Sequence, residues 1–363
     1  MLKSLRIENF RCFRMFELQQ LGKLNLLVGT NNSGKTSILE AIQLLNSHSN
    51  LELLREVMIG RGECMLSDEQ GNGRELDIRH LFYGHRIDAG RRFSILGIDS
   101  NNENEGINKN EGIVVSVKHE EQLRLFEELR ELVLVIEWLG QEDESIHIPL
   151  SSKEGLSLNH VRRIRRDLKN SDSRTQFVTS SSLTSEKMIE LFDQVVLTPE
   201  EALVTEALQT IEPSIDRIAS VGSDKYRYTG TRSGFVVRLA DGDQRIPIGS
   251  MGDGIWRMLG LTLAIVNARN GILLVDEIDT GLHFSAMSDM WKLIWEAAKR
   301  LNVQVFATTH NSDCWMSLAE IASNEDPSEE GITIQRIEKG KQNSIVFTER
   351  QVVIAAERGI EVR

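Results

Sequence analysis

Apolar positions along this chain follow three rhythms. At the start, Leu5 and Ile7 alternate with polar neighbours, as do Phe16 and Leu18. Period-two alternation predicts two short strands joined through NFRCF (Asn9–Phe13). LNLLVG (Leu24–Gly29) is instead a continuous apolar run, the pattern of a strand buried on both faces. Past TNNSGKT the period lengthens: Ile38, Leu39, Ile42 and Leu45 share one face of a predicted helix. From about Ser47 to Leu239 short apolar stretches (FSILGI, GIVVSV, LVLVIEW, SIHIPL) alternate with polar turns, predicting an antiparallel sheet. HEEQLRLFEELREL (His119–Leu132) and HVRRIRRDLK (His160–Lys169) carry helical spacing, and DSNNENEGINKNEG reads as a surface loop. The last third returns to buried runs, with strands at GILLVDEID and VQVFATTH and a helix at HFSAMSDMWKLIWEAAKR between them. A hairpin (ITIQRIEKGKQNSIVFT) and a short helix follow. The expected fold class is α/β: one domain over 1–363 with core halves at about 1–50 and 240–363. An insertion of antiparallel strands and helices, 51–239, separates the halves.

Composition narrows the class only slightly. The 363 residues include 54 acidic and 42 basic side chains, a net charge of −12. That balance argues against coating nucleic acid generally, while leaving room for a local basic groove. Cys12, Cys64 and Cys314 are few and scattered, so neither a disulfide framework nor a zinc site is expected. No apolar run reaches membrane-span length and MLKSLRIENF lacks a signal-peptide core, so a cytoplasmic, membrane-free protein is expected.

The chemistry concentrates in four stretches. Gly29–Thr36, GTNNSGKT, matches G-x-x-x-x-G-K-[ST] between a predicted strand and helix. Backbone N–H groups of Gly29, Asn31, Asn32, Ser33 and Gly34 can wrap phosphates at a helix N-terminus. Lys35 can reach the β- and γ-phosphates, and Thr36 can offer a hydroxyl to Mg²⁺. Asp276 and Glu277 close a buried strand, where the first suits a Mg²⁺ water shell and the second suits orienting an attacking water. His310 ends the neighbouring strand, where a polar side chain faces the γ-phosphate, although a lone histidine is also a common structural residue.

GSMGDG (Gly249–Gly254) opens a largely apolar helix with glycine and serine. It reads either as a close-packed entry turn or as a second anion site. One subunit cannot easily wrap the same γ-phosphate twice, so the second reading implies a partner copy across a two-fold. Arg162, Arg163, Arg165 and Arg166 form either a solvated helix face or a patch for nucleic-acid phosphates. INKNE is set aside as a guanine reader for want of a buried strand before it, which favours ATP. His283 is assigned no catalytic role, and Trp291 and Trp295, four apart, are expected in the core.

NFRCF, GTNNSGKTS, GSMGDG, DEIDTGLH and FATTH, in this order, resemble the AAA-type ATPases related to OLD (overcoming lysogenization defect) proteins. That group stands beside the RecF and SMC branch of the ABC superfamily. The likeness covers about 1–50 and 240–363 and fades across the insertion. It implies a P-loop NTPase of the ABC-ATPase-head type, with a mixed sheet, that binds ATP and Mg²⁺ through Gly29–Thr36 and Asp276. Glu277 would be the catalytic carboxylate and His310 the switch histidine. Ser250 and Gly252 would reach the partner's ATP, and Asp279 would lie in the loop crossing an ATP-dependent homodimer. Arg11 resembles a basic residue that approaches the nucleotide in relatives.

Three features depart from the pattern: Asn311 stands where relatives carry serine, no glutamine loop can be placed, and AAERGIEVR ends the sequence without a TOPRIM nuclease domain. Cleavage, if any, is therefore expected from a separately encoded effector such as a nuclease or TOPRIM protein, in phage defence or DNA repair. The alternative is a slow, ATP-gated scaffold that holds a partner protein or nucleic acid.

Overall fold

A computed structural model describes residues 1–47, 50–66, 74–99, 110–124, 127–139, 145–158, 174–221, 234–242, 244–324 and 331–363. The chain divides into two compact units, 1–20 with 32–173 and 338–344, and 21–31 with 174–337 and 345–363.

The second unit is built on a six-stranded sheet. Its order is Thr175–Val178, Ile272–Val275, Gln304–Thr308, Leu24–Val28, Ile332–Arg336 and Ile345–Thr348. The first five are parallel and the last antiparallel. LNLLV, ILLV and QVFAT are buried along their whole length, which is why they read as unbroken apolar runs. Asn25 is a polar residue fully buried in this core. The Asn25 amide donates to Gly22 O (2.8 Å) and Val305 O (3.2 Å) and accepts from Gly22 N (2.8 Å) and Thr333 Oγ1 (2.9 Å). A buried amide satisfied on both ends is tolerated and pins the entry of the central strand.

Helix Asp253–Asn267 is buried from Ile255 through Val266, the signature of a helix enclosed on all sides. It packs against Ser185–Val195, Glu201–Gln209 and Met287–Leu301. Trp291 is fully buried and donates Nε1–H to Cys314 O at 2.9 Å, and Trp295 is 5% exposed. Both belong to the core, as their spacing predicts. A small antiparallel sheet (Ile215–Ser220, Phe235–Leu239, Arg245–Pro247) completes the unit.

The first unit carries an antiparallel sheet in the order Phe13–Leu18, Leu2–Phe10, Arg92–Asp99, Asn110–Arg124, Glu127–Leu139 and Ser145–Pro149. The first two strands turn at Arg11 and Cys12, as the alternation predicts. Helix Lys35–Leu45 lies against Arg92–Asp99 and Asn110–Arg124.

Three expectations need correction or adjustment. His119–Leu132 is not a helix, because Asn110–Arg124 and Glu127–Leu139 form an antiparallel pair that extends to Arg124↔Glu127. The β-branched flanks GIVVSV and LVLVIEW start a ladder that carries the helix-patterned middle with it. The division of the chain also runs differently from an insertion at 51–239. Residues 174–239 join the unit of the parallel sheet, and Thr175–Val178 is its edge strand, a run too short for its pairing to be read from pattern. The helix expected from His283 begins as a 3₁₀ turn, Phe284–Ala286, with the α-helix starting at Met287. His283 accepts from Ser285 N at its cap. The arginines of 162–166 and the INKNE residues 107–109 lie outside the described residues. Among the described residues no helix is long and apolar enough to cross a membrane.

Candidate functional site

Ligands of parallel sheets bind beyond the carboxyl ends of the strands. At that edge Gly29–Asn31 follow Leu24–Val28, Asp276 and Glu277 follow Ile272–Val275, and Thr309 and His310 follow Gln304–Thr308. Register brings them together: Val275 pairs with Ala307, Thr308 pairs with Leu27, and Thr309 N donates to Leu27 O at 3.2 Å.

Two fully buried threonine hydroxyls organise this edge. Thr308 Oγ1 donates to Asp276 Oδ1 (2.7 Å) and accepts from Glu277 N (2.8 Å). Thr309 Oγ1 donates to Asp279 Oδ1 (2.7 Å) and accepts from Asn311 N (3.0 Å). A hydroxyl in this dual role fixes a carboxylate's direction without adding a cation.

Glu277 is held by its backbone. It has φ 47°, in the left-handed region that costs a non-glycine residue free energy. Its half-exposed side chain lies 3.9 Å from His310 Nδ1. The carbonyls on either side of this strained bond, Asp276 O and Glu277 O, accept from Arg257 Nη2 at 3.0 and 2.8 Å, and Thr179 O accepts from Nη1 at 2.6 Å. Arg257 is 3% exposed, and burial lowers its pKa to about 10, against the pull of nearby Asp279, Asp276 and Glu277.

Asn32–Thr36 belong to the other compact unit. Gly34 has φ 102°, and a Cβ there would lie 2.3 Å from Phe13 Cζ and 2.9 Å from Cys12 Sγ, so no other residue fits. Helix Lys35–Leu45 starts without a side-chain cap and with no acid in its first turn. Ser33 Oγ is buried with no hydrogen-bond partner among the described residues, and Lys35 is 9% exposed. An orphaned buried hydroxyl in a glycine loop at a helix N-terminus fits a phosphate oxygen. The hydroxyl of Thr36 and the carboxylate of Asp276 are oxygen donors of the type Mg²⁺ takes.

Arg11 is occupied within its own unit. Its Nε lies 2.6 Å from Glu40 Oε2, and its Nη1 and Nη2 meet Glu63 at 2.6 and 3.2 Å. Arg61 Nε reaches Glu40 Oε1 at 2.5 Å. Burial holds the Glu40 carboxyl above its ordinary pKa despite both arginines.

Ser250 and Gly252 are exposed. Ser250 lies in a 3₁₀ turn, Ile248–Met251, and the α-helix begins only at Asp253, a turn later than GSMGDG implies. Gly252 has φ 95°, and no atom lies within 4 Å of where its Cβ would be, so the turn's outer face is open. Asn311 caps helix Ser312–Ser323 by accepting from Asp313 N, work a serine would also do.

Thr308, Thr309 and Arg257, whose hydrogen bonds hold this candidate site together, are residues that the sequence reading passes over. The paired threonines before His310 and a single arginine in an otherwise apolar helix are the signals that mark them.

Residues 24–313 match the family model described as "AAA domain, putative AbiEii toxin, Type IV TA system". The chain is 22% identical over 353 residues to a protein named ATP/GTP phosphatase from Helicobacter pylori, covering 90% of each. It is 51% identical over 45 residues to the DNA replication and repair protein RecF of Clostridioides difficile, 12% of each chain. An equal 51% identity over 45 residues relates it to an OLD nuclease from Thermus scotoductus, 12% of this chain and 8% of that protein. Among solved structures it resembles an SMC head bound to the C-terminal winged-helix domain of ScpA, with TM-score 0.53, 13% identity and 96% and 97% coverage. That likeness bears out the expected α/β fold, that of an SMC-type head.

Proposed function

Because the chain belongs to the AAA domain family of that description, we propose that it is an ATP hydrolase whose ATP binding closes a head-to-head homodimer. Hydrolysis reopens the dimer and so sets the state of a separately encoded effector, such as a nuclease, in phage defence or DNA repair. The observation that carries this reading is the array at the sheet edge. Asp276 and Asp279 are aimed by buried threonine hydroxyls beside a strained Glu277, on the edge from which Gly29–Asn31 depart.

In this reading Gly29–Thr36 hold the triphosphate, with Ser33 Oγ finding its missing partner there and Lys35 countering charge on the β- and γ-phosphates. Glu277 accepts a proton from the water that attacks the γ-phosphorus, the bond to the β-bridging oxygen breaks, and ADP and phosphate leave. Thr36 and Asp276 would hold Mg²⁺, which neutralises phosphate charge when bound. Ser250 and the open face of Gly252 meet the γ-phosphate held by the partner copy, and Asp279 lies in the loop at that interface. His310 stands close enough to Glu277 to sense the same phosphate.

The test is Glu277→Gln in gel filtration with light scattering. With ATP and Mg²⁺ the variant elutes as a dimer and hydrolyses little, whereas Lys35→Ala neither binds nucleotide nor dimerises. A Glu277→Gln protein that stays monomeric with saturating ATP overturns the shared-nucleotide reading.

A further inference from the structure

The helix that carries the serine-glycine turn is tied to the carboxylate loop of its own subunit at two points. At one, Arg257 reaches the carbonyls of Asp276 and Glu277. At the other, a Cβ on Gly254 would lie 3.5 Å from Gly281 O, and one on Gly281 would lie 3.5 Å from Asp253 Cβ. The first turns of the helix therefore bond the start of the segment that bears Glu277 and Asp279 and run close to its end at Gly281.

A guanidinium is an expensive way to fill this position. It is buried within an apolar helix, its Nε has no hydrogen-bond partner among the described residues, and its Nη1 and Nη2 donate to the neutral carbonyls of Thr179, Asp276 and Glu277. Simple packing would be served by leucine. What a planar fork supplies is simultaneous hold on three carbonyls from two strand ends. Two of those carbonyls flank the bond at which Glu277 adopts its left-handed backbone.

We propose that Arg257 is a positioning residue that couples the Ser250–Gly252 turn to Glu277, so that engagement of the turn sets the carboxylate for hydrolysis. The proposal rests on the shared-nucleotide reading above. A phosphate docking on the turn displaces the start of the helix, and the fork transmits that displacement to the Asp276–Glu277 peptide. A contiguous bonded path of this kind is a physical route for coupling, not mere proximity.

The test is Arg257→Lys, which keeps the cation but loses the fork. It is compared with wild type by hydrogen–deuterium exchange with and without a non-hydrolysable ATP analogue and Mg²⁺, and by steady-state kinetics. In wild type the analogue protects amides in both 248–256 and 276–283. In Arg257→Lys protection persists in the first segment and is lost in the second, and kcat falls on the order of 10- to 100-fold while KM stays within about threefold. Gly254→Val, whose Cβ would stand 3.5 Å from Gly281 O and whose two methyls add bulk at that contact without touching Arg257, gives the same split and serves if the lysine variant does not fold. Wild-type protection of both segments in either folded variant, with kcat unchanged, overturns the coupling and leaves the shared-nucleotide reading standing. No protection at 248–256 in wild type overturns that reading and the coupling with it.

Discussion

Behind helix Lys35–Leu45, Arg11 and Arg61 meet Glu40 and Glu63 as cation on anion, while at the parallel-sheet edge Asp276 and Asp279 are met by the hydroxyls of Thr308 and Thr309. The first arrangement directs charge inward and uses it against charge. The second aims carboxylates with neutral hydroxyl donors. The same difference separates the two arginines of interest, since Arg11 is neutralised by carboxylates and Arg257 grips carbonyls.

Removing one member from each region sharpens the contrast. Arg11→Ala strands Glu40 and Glu63 without their cation and should cost about 3–5 kcal/mol in denaturant unfolding, the largest stability effect expected. Thr308→Val takes both the donor to Asp276 and the acceptor for Glu277 N, and should cost about 1–3 kcal/mol. Its distinguishing mark is a fall in ATP turnover larger than its loss of stability explains. If instead Arg11→Ala proves the milder change, the charge cluster is not the structural half of the pair. Glu40→Gln has the smallest effect and a defined sign. Because the folded chain binds this proton more tightly than the unfolded chain, Glu40 favours the fold most below the ordinary carboxylate range and loses that contribution as pH rises through its raised value. The stability of Glu40→Gln relative to wild type should therefore rise as pH climbs above the ordinary carboxylate range, and a flat difference would contradict the burial argument.

Much of this was legible in advance because it depends on local pattern. Fully buried strands must read as apolar runs, and GTNNSGKT between a strand and a helix carries its own geometry. The NFRCF turn and the tryptophan pair follow from spacing in the same way. What stayed hidden depends on partners distant in the chain. Helical spacing at His119–Leu132 yielded to flanking strands that prefer a ladder. TQFV looks like any short run until Ile272–Val275 supplies its neighbour. Thr308, Thr309 and Arg257 act through atoms that no spacing rule brings beside them. The α-helix starts one turn later than GSMGDG implies, because a 3₁₀ segment and an α-helix share nearly the same apolar pattern over four residues.

The central strand Leu24–Val28 is flanked by Gln304–Thr308 and Ile332–Arg336, and its Asn25 bonds Val305 across a separation of 280 residues. During synthesis on the ribosome, the strand that launches the phosphate loop therefore waits without either native neighbour until the last third has emerged. Contacts this distant are slow to form and leave strand edges exposed meanwhile. The phosphate loop's strand thus gains its native sheet only late in the chain's emergence.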